Sequence, residues 1–171
     1  MEQLVPSLVF YLFVLGICLV RPGAGRVLVG VFFLIMALGV NVVLVLTAPE
    51  LFVALGAEAP LVPPYGWFFE NVVALAPPLF GLLAAAFETT IALMILSRSR
   101  YVKWGLVGGV AFLVGITPLG VWTLANPVLA LALAVLLRRE YIRGLPEMIG
   151  DAVRPARSHA SATVAGRRGE R

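Results

Sequence analysis

The stretch Trp104–Leu137, WGLVGGVAFLVGITPLGVWTLANPVLALALAVLL, contains no charged residue. As one straight helix it would reach ~50 Å, well beyond the ~30 Å hydrocarbon core of a bilayer. Its middle, TPLGVWTLANP, carries Pro118, Gly120 and Pro127, so the run reads as two short helices joined by a tight turn near Leu119 and Gly120.

Three further apolar runs lie upstream. Val5–Val20 ends at RPGAGR, Val27–Thr47 leads into a loop over 48–70, and Asn71–Ser97 ends at the basic SRSRYVK. Each approaches or exceeds the ~20 residues that a spanning helix needs. The expected fold is therefore an all-α polytopic membrane bundle of five transmembrane helices over residues 1–150, with a disordered basic tail over 151–171. Composition agrees: of 171 residues 61% are apolar and 13% charged, with a mean hydropathy of +1.00. A soluble domain would need more polar surface to cover such a core.

Charge tests the count independently. Five crossings put Glu2, Glu50, Glu58 and Glu70 on one side with no lysine or arginine, and all 13 basic residues on the other. By the positive-inside rule the basic side is cytoplasmic, so the N-terminus is expected outside and the C-terminus inside, in a cell membrane. Read as a single crossing, Trp104–Leu137 would put the basic tail beside the acidic loop. The +4 charge thus reflects sidedness, and no nucleic-acid recognition pattern is present.

The first helix lacks the basic leader of a secretory signal and is expected to stay. Cys18 within it reads as a small buried hydrophobe. In the loop, Thr47 is positioned to cap a short helix starting at Pro49 and Glu50. Pro60, Pro63, Pro64 and Gly66 then stiffen a turn, and Tyr65, Trp67, Phe68 and Phe69 anchor the next helix at the interface or form a lid over a pocket.

Polar residues inside the spans are few: Asn41, Glu88 with Thr89 and Thr90, Thr117 and Asn126. Glu88 lies ~13 Å along its helix from Ser97, near mid-bilayer. A lone carboxylate there costs several kcal/mol, so it must be protonated, paired or facing a wet cavity. Asn41, Asn126 and Tyr11 are the partners within reach of neighbouring helices. Three roles stay open for Glu88: a neutral acid bonded to another helix, a proton-handling or ligand-orienting acid, or a contact in an oligomer.

Pro77 and Pro78, read as lying inside the third helix, would bend it before Glu88. Gly105 and Gly109 stand at the GxxxG spacing that permits close helix contact, within one chain or between copies. Beyond the last span, Tyr141, Ile142, Leu145, Met148 and Ile149 would rest at the membrane surface, with Arg138, Arg139 and Arg143 meeting anionic lipid. His159 has no ligand set around it, so no metal site is expected. No GxGxxG, Walker loop, HExxH, CxxC or nucleophile–base pair occurs, so the chain is expected not to be an enzyme by itself.

From Arg26 to Arg139 the chain resembles the DoxX-like superfamily of small bacterial and archaeal membrane proteins. The resemblance is carried by an opening helix, RVLVGVFFLIMALG, a long outer loop, a helix with the central Glu88 followed by SRSRYVKWG, and a closing pair formed by PLG and ANPVLALALAVLLRR. Val5–Val20 is additional to that four-helix unit. The resemblance implies that Glu88 lines an intramembrane pocket for a quinone or small apolar ligand, since some members are linked to sulfur-compound oxidation with quinone as acceptor or to oxidative-stress complexes. Two functional classes follow. One is an accessory subunit of a membrane redox complex, with a membrane-protein partner or a second copy. The other is a small proton-coupled carrier titrating at Glu88.

Overall fold

A computed structural model describes residues 4–142 together with Gly144, Leu145 and Glu147. The expectations for the tail, for His159 and for Arg143, Met148 and Ile149 lie outside the described residues. Within them the chain is helical throughout, with no strand: α1 (Leu4–Val20), α2 (Pro22–Thr47, α-helical except for a π-helical segment at Ile35–Val42), α3 (Pro49–Ala57), α4 (Pro63–Asn71), α5 (Pro77–Leu96), α6 (Arg100–Ile116) and α7 (Asn126–Leu137). A 3₁₀ turn, Val73–Leu75, precedes α5, and two more, Thr117–Leu119 and Val121–Thr123, join α6 to α7 on either side of Gly120.

Proline sets these boundaries. The residue before each of Pro22, Pro49, Pro63 and Pro77 is driven out of the α region: φ is −133° at Arg21, −151° at Ala48, −132° at Val62 and −153° at Ala76. The proline ring clashes with a helical predecessor, while the first helical position has no hydrogen bond to lose. This corrects three expectations. Pro77 and Pro78 start α5 instead of bending a longer helix from within, and the chain changes direction at Ala76. Pro63 opens a second short helix where only a turn was expected. Ala48, not Thr47, precedes α3, and the Thr47 hydroxyl bonds back to the Val43 carbonyl at 2.8 Å.

The α1–α2 hairpin turns at Arg21 alone. A Cβ at Gly25 would lie 2.7 Å from Cys18 Sγ and 2.8 Å from its Cα, so only glycine lets the two helices close this tightly. Arg26, expected in a loop, instead sits inside α2 and is 1% exposed. Its guanidinium donates to the Ser97 carbonyl at 3.2 Å and lies 4.8 Å from the centre of the Tyr141 ring.

The five longer helices close a ring in the order α1, α2, α5, α6, α7 and back to α1. Val14, Val29, Phe33, Ile95, Leu106, Leu129 and Leu133 meet at its centre. On α5 the buried positions Gly81, Ala85, Glu88, Ala92 and Ile95 form one helical stripe, while Leu79, Leu83, Phe87 and Leu93 on other faces are exposed and equally apolar. A helix apolar on both sides is a membrane helix. The spans at Pro22–Thr47, Pro77–Leu96 and Arg100–Leu119 are long and apolar enough to cross a bilayer, and Leu4–Val20 and Val121–Leu137 are shorter apolar helices. The chain is a small all-α multi-pass membrane protein. Because lipid is as apolar as leucine, close packing and polar contacts hold such helices together, which explains the small residues at their contacts.

The bundle is polarised. At one end Arg21, Arg98, Arg100, Lys103, Arg138 and Arg139 gather, tied by Arg26 and by the Ser99 N–H donating to the Tyr141 carbonyl at 2.7 Å. Burial holds the Tyr141 phenol above its usual range, and the nearby Arg26 charge opposes that shift. At the other end lie Glu50 on α3, Glu58 just after it and Glu70 on α4. Here the Leu61 N–H donates to the Pro118 carbonyl at 2.9 Å, and the Tyr65 hydroxyl to the Gly115 carbonyl at 2.7 Å.

Candidate functional site

Glu88 occupies the middle of the inward stripe of α5 and is 4% exposed. Asn41, on the π-helical segment of α2, donates its Nδ2 to Glu88 Oε2 at 2.5 Å. π segments recur at functional sites because they displace a side chain from the regular α register. Here the displaced stretch carries the amide that meets the carboxyl. A hydrogen bond to a charged group contributes about 1.5–3 kcal/mol, and burying a carboxylate costs several. One amide therefore offsets only part of the cost, and a proton or a polar group in the adjoining cavity must supply the rest.

That cavity has a volume of about 380 Å³ and lies among α1, α2, α5, α6 and the turn before α7. Its walls are mostly aromatic: Phe10, Tyr11, Phe32, Phe33, Phe112 and Trp122, with Glu88 and Asn126 as internal polar groups. The rings brace one another, Phe10 on Phe32 at 5.5 Å between centroids, Tyr11 edge-on to Phe32 at 5.9 Å and Phe33 on Phe112 at 6.3 Å. Edge-on and tilted contacts at such spacings are favourable and keep wall geometry fixed. Asn126 is 5% exposed, and its Nδ2 has no hydrogen-bond partner. An amide donor left unpaired in an apolar setting costs ~1–3 kcal/mol.

Glu88 and Asn126 thus face one cavity, and Asn41 supports Glu88 without lining it. Thr89 is half-buried and is not among the lining residues, and Thr90 donates to the Ala86 carbonyl of its own helix at 2.8 Å. Gly105 and Gly109 pack within the chain. A Cβ at Gly105 would lie 2.8 Å from the Ile95 nitrogen and 3.0 Å from the Ile91 carbonyl oxygen, and one at Gly109 would lie 2.5 Å from Leu133 Cδ2. The aromatic walls were missed in the sequence. The adjacent pairs Phe10–Tyr11 and Phe32–Phe33, on helices joined by a one-residue turn, were the available signal.

Among the described residues no group of three or more His, Cys, Asp and Glu gathers to hold a metal ion. Compared with protein-family models, characterised proteins and solved structures, the chain matches none.

Proposed function

We propose that this protein is an intramembrane ligand-binding subunit of a redox complex, taking a quinone-type ring in the cavity between α1, α2, α5 and α6. The observation that carries the reading is the pairing of aromatic walls with an unpartnered buried donor at Asn126 and a carboxyl at Glu88. Ligand sites are concave and mostly apolar, with a few polar groups that fix orientation. A ring bearing carbonyl oxygens meets both demands, stacking against phenyl and indole faces while accepting from the Asn126 amide. The DoxX-like layout from Arg26 to Arg139 points the same way. In this reading all five longer helices cross the bilayer, the basic end is cytoplasmic, and the electron-transfer partner is another membrane protein or a second copy of this chain.

Trp122 lines the cavity and reports its occupancy, while Trp67 and Trp104 are exposed at 62% and 65%. Titrating a short-chain quinone into protein held in nanodiscs is expected to quench Trp122 saturably. Asn126→Leu is expected to weaken binding about tenfold, the factor for one lost hydrogen bond of ~1.4 kcal/mol. Non-saturable quenching, or wild-type affinity in a folded Asn126→Leu variant, would overturn the assignment.

A second reading, a small proton-coupled carrier, is favoured by the Asn41–Glu88 link on the π-helical segment, a polar contact that a change of helical register would break. It predicts pH-gradient-driven flux in proteoliposomes that disappears in Glu88→Gln with the fold intact.

A further inference from the structure

The aromatic cavity is open on one side. Of its lining residues only Pro6 and Phe10 are exposed, one turn apart on the same face of α1, and the Phe10 ring packs beside Phe32 of α2 at 5.5 Å between centroids. The mouth therefore lies on this side of α1. Phe33, Glu88, Leu113 and Asn126 are buried and form the inner wall.

Depth decides what the mouth opens to. Counted back from Arg21 in the turn at the basic end, Phe10 stands eleven residues up α1 and Pro6 fifteen, ~16 and ~22 Å along the helix. Both fall inside the ~30 Å hydrocarbon core. The surface around the mouth agrees, because every exposed residue of α1 from Val5 to Val20 is apolar or glycine. Such a face offers water no polar side chain and suits lipid chains.

We infer that the cavity is loaded sideways from the bilayer. Its ligand is a membrane-dissolved amphiphile whose polar ring lies at Asn126 and Glu88 and whose hydrocarbon tail leaves past Pro6 and Phe10 into lipid. The inference rests on the ring-binding reading proposed above and adds to it the ligand class and the route. At about 380 Å³ the cavity stands near the lower end of ligand sites, ~300–1,000 Å³, so it encloses a ring and leaves a long chain outside. Outside, at this depth, means lipid. A tail there is surrounded by hydrocarbon before and after binding, so its length leaves the affinity for bilayer-dissolved ligand unchanged.

The test reads the mouth first, without a ligand. In a Cys18→Ala background held in nanodiscs, nitroxides are attached at Phe10→Cys, in the mouth, and at Leu12→Cys, exposed on another face of α1. Molecular oxygen concentrates in hydrocarbon and a nickel chelate in water, so the two collision rates report which solvent reaches each label. Phe10→Cys is expected to match Leu12→Cys, with oxygen dominant. Dominant nickel collisions at Phe10→Cys would overturn the lateral mouth.

Two quinones with the same ring, one bearing a methyl group and one a decyl chain, are then titrated by Trp122 quenching. Expressed per mole of lipid, their affinities are expected to agree within about threefold. Bound decyl compound is expected to slow the nitroxide at Pro6→Cys, and the methyl compound to leave it mobile. A decyl compound that binds about tenfold more weakly or worse, or a Pro6→Cys nitroxide unmoved at saturation, would overturn the tail route. Saturable binding of neither quinone would overturn the ring-binding reading and the ligand class with it, and the oxygen and nickel rates separate that failure from a mouth open to water.

Discussion

The contact between Asn41 and Glu88 joins α2 to α5 across 47 positions of sequence, and a double-mutant cycle measures what it contributes. Asn41→Leu leaves a 4%-exposed carboxyl without its amide donor, and Glu88→Leu leaves the Asn41 amide without its acceptor. Each single change should cost about 1–3 kcal/mol, the penalty of a buried polar group that has lost its partner. Making both changes removes both polar groups, so the double variant should cost less than the sum of the singles. Interhelical polar contacts in membranes average ~0.6 kcal/mol and reach ~1.7. A carboxyl acceptor is stronger than a neutral one, so a coupling of about 1–1.7 kcal/mol is expected, a roughly five- to twentyfold change in the folding equilibrium. Reversible unfolding in mixed micelles, followed by Trp fluorescence, gives the four free energies. Additivity within ~0.3–0.5 kcal/mol, the behaviour of independent sites, would refute the contact.

Other consequences are as direct. Gly105→Ala should destabilise the protein by about 1–3 kcal/mol by overpacking against the α5 backbone, whereas Gly16→Ala, with nothing within 4 Å of the added carbon, should stay within ~0.5 kcal/mol of wild type in the same unfolding assay. Ser99 holds φ at 58° and ψ at −137°, a conformation costly for a side-chain-bearing residue, so Ser99→Gly should raise stability by ~1 kcal/mol, and a loss would show that the serine side chain is needed there. Because burial raises the folded Tyr141 pKa above its ordinary value of 10.0, the unfolded chain releases that proton first. The Tyr141 contribution is complete below pH 10.0 and is lost above it, as pH rises through the raised folded pKa, so Tyr141→Phe should flatten the alkaline decline in stability, and an unchanged decline would contradict the assignment.

Some of this architecture was open in the amino-acid order, and the reasons for the rest are physical. The break near Leu119 and Gly120 was legible because two prolines and a glycine interrupt a run too long for one crossing, and the chain turns through Thr117–Leu119 and Val121–Thr123. Glu88 stood out because a carboxylate inside an apolar run has few acceptable environments. Pro77 and Pro78 were harder: a proline pair fits both a kink and a helix start, and only the extended conformation at Ala76 decides between them. Arg26 was misread because a charge beside an apolar run normally marks a loop, whereas here a carbonyl and an aromatic ring receive it inside the bundle. The cavity walls were hidden for a more general reason. In a membrane chain, phenylalanines facing lipid and phenylalanines facing a cavity are equally apolar, so no polarity contrast separates the cavity-lining Phe32, Phe33 and Phe112 from the exposed Phe13 and Phe87.

The central claim is that the aromatic cavity holds a small ring bearing a hydrogen-bond acceptor. The most direct test extracts the protein in native lipid and identifies its bound small molecules by mass spectrometry and absorption, with Asn126→Leu prepared in parallel. The account predicts a quinone-type molecule retained at near one per cavity by the wild type and lost from the variant. Wild-type protein that carries phospholipid alone, in a pattern Asn126→Leu does not change, would contradict it.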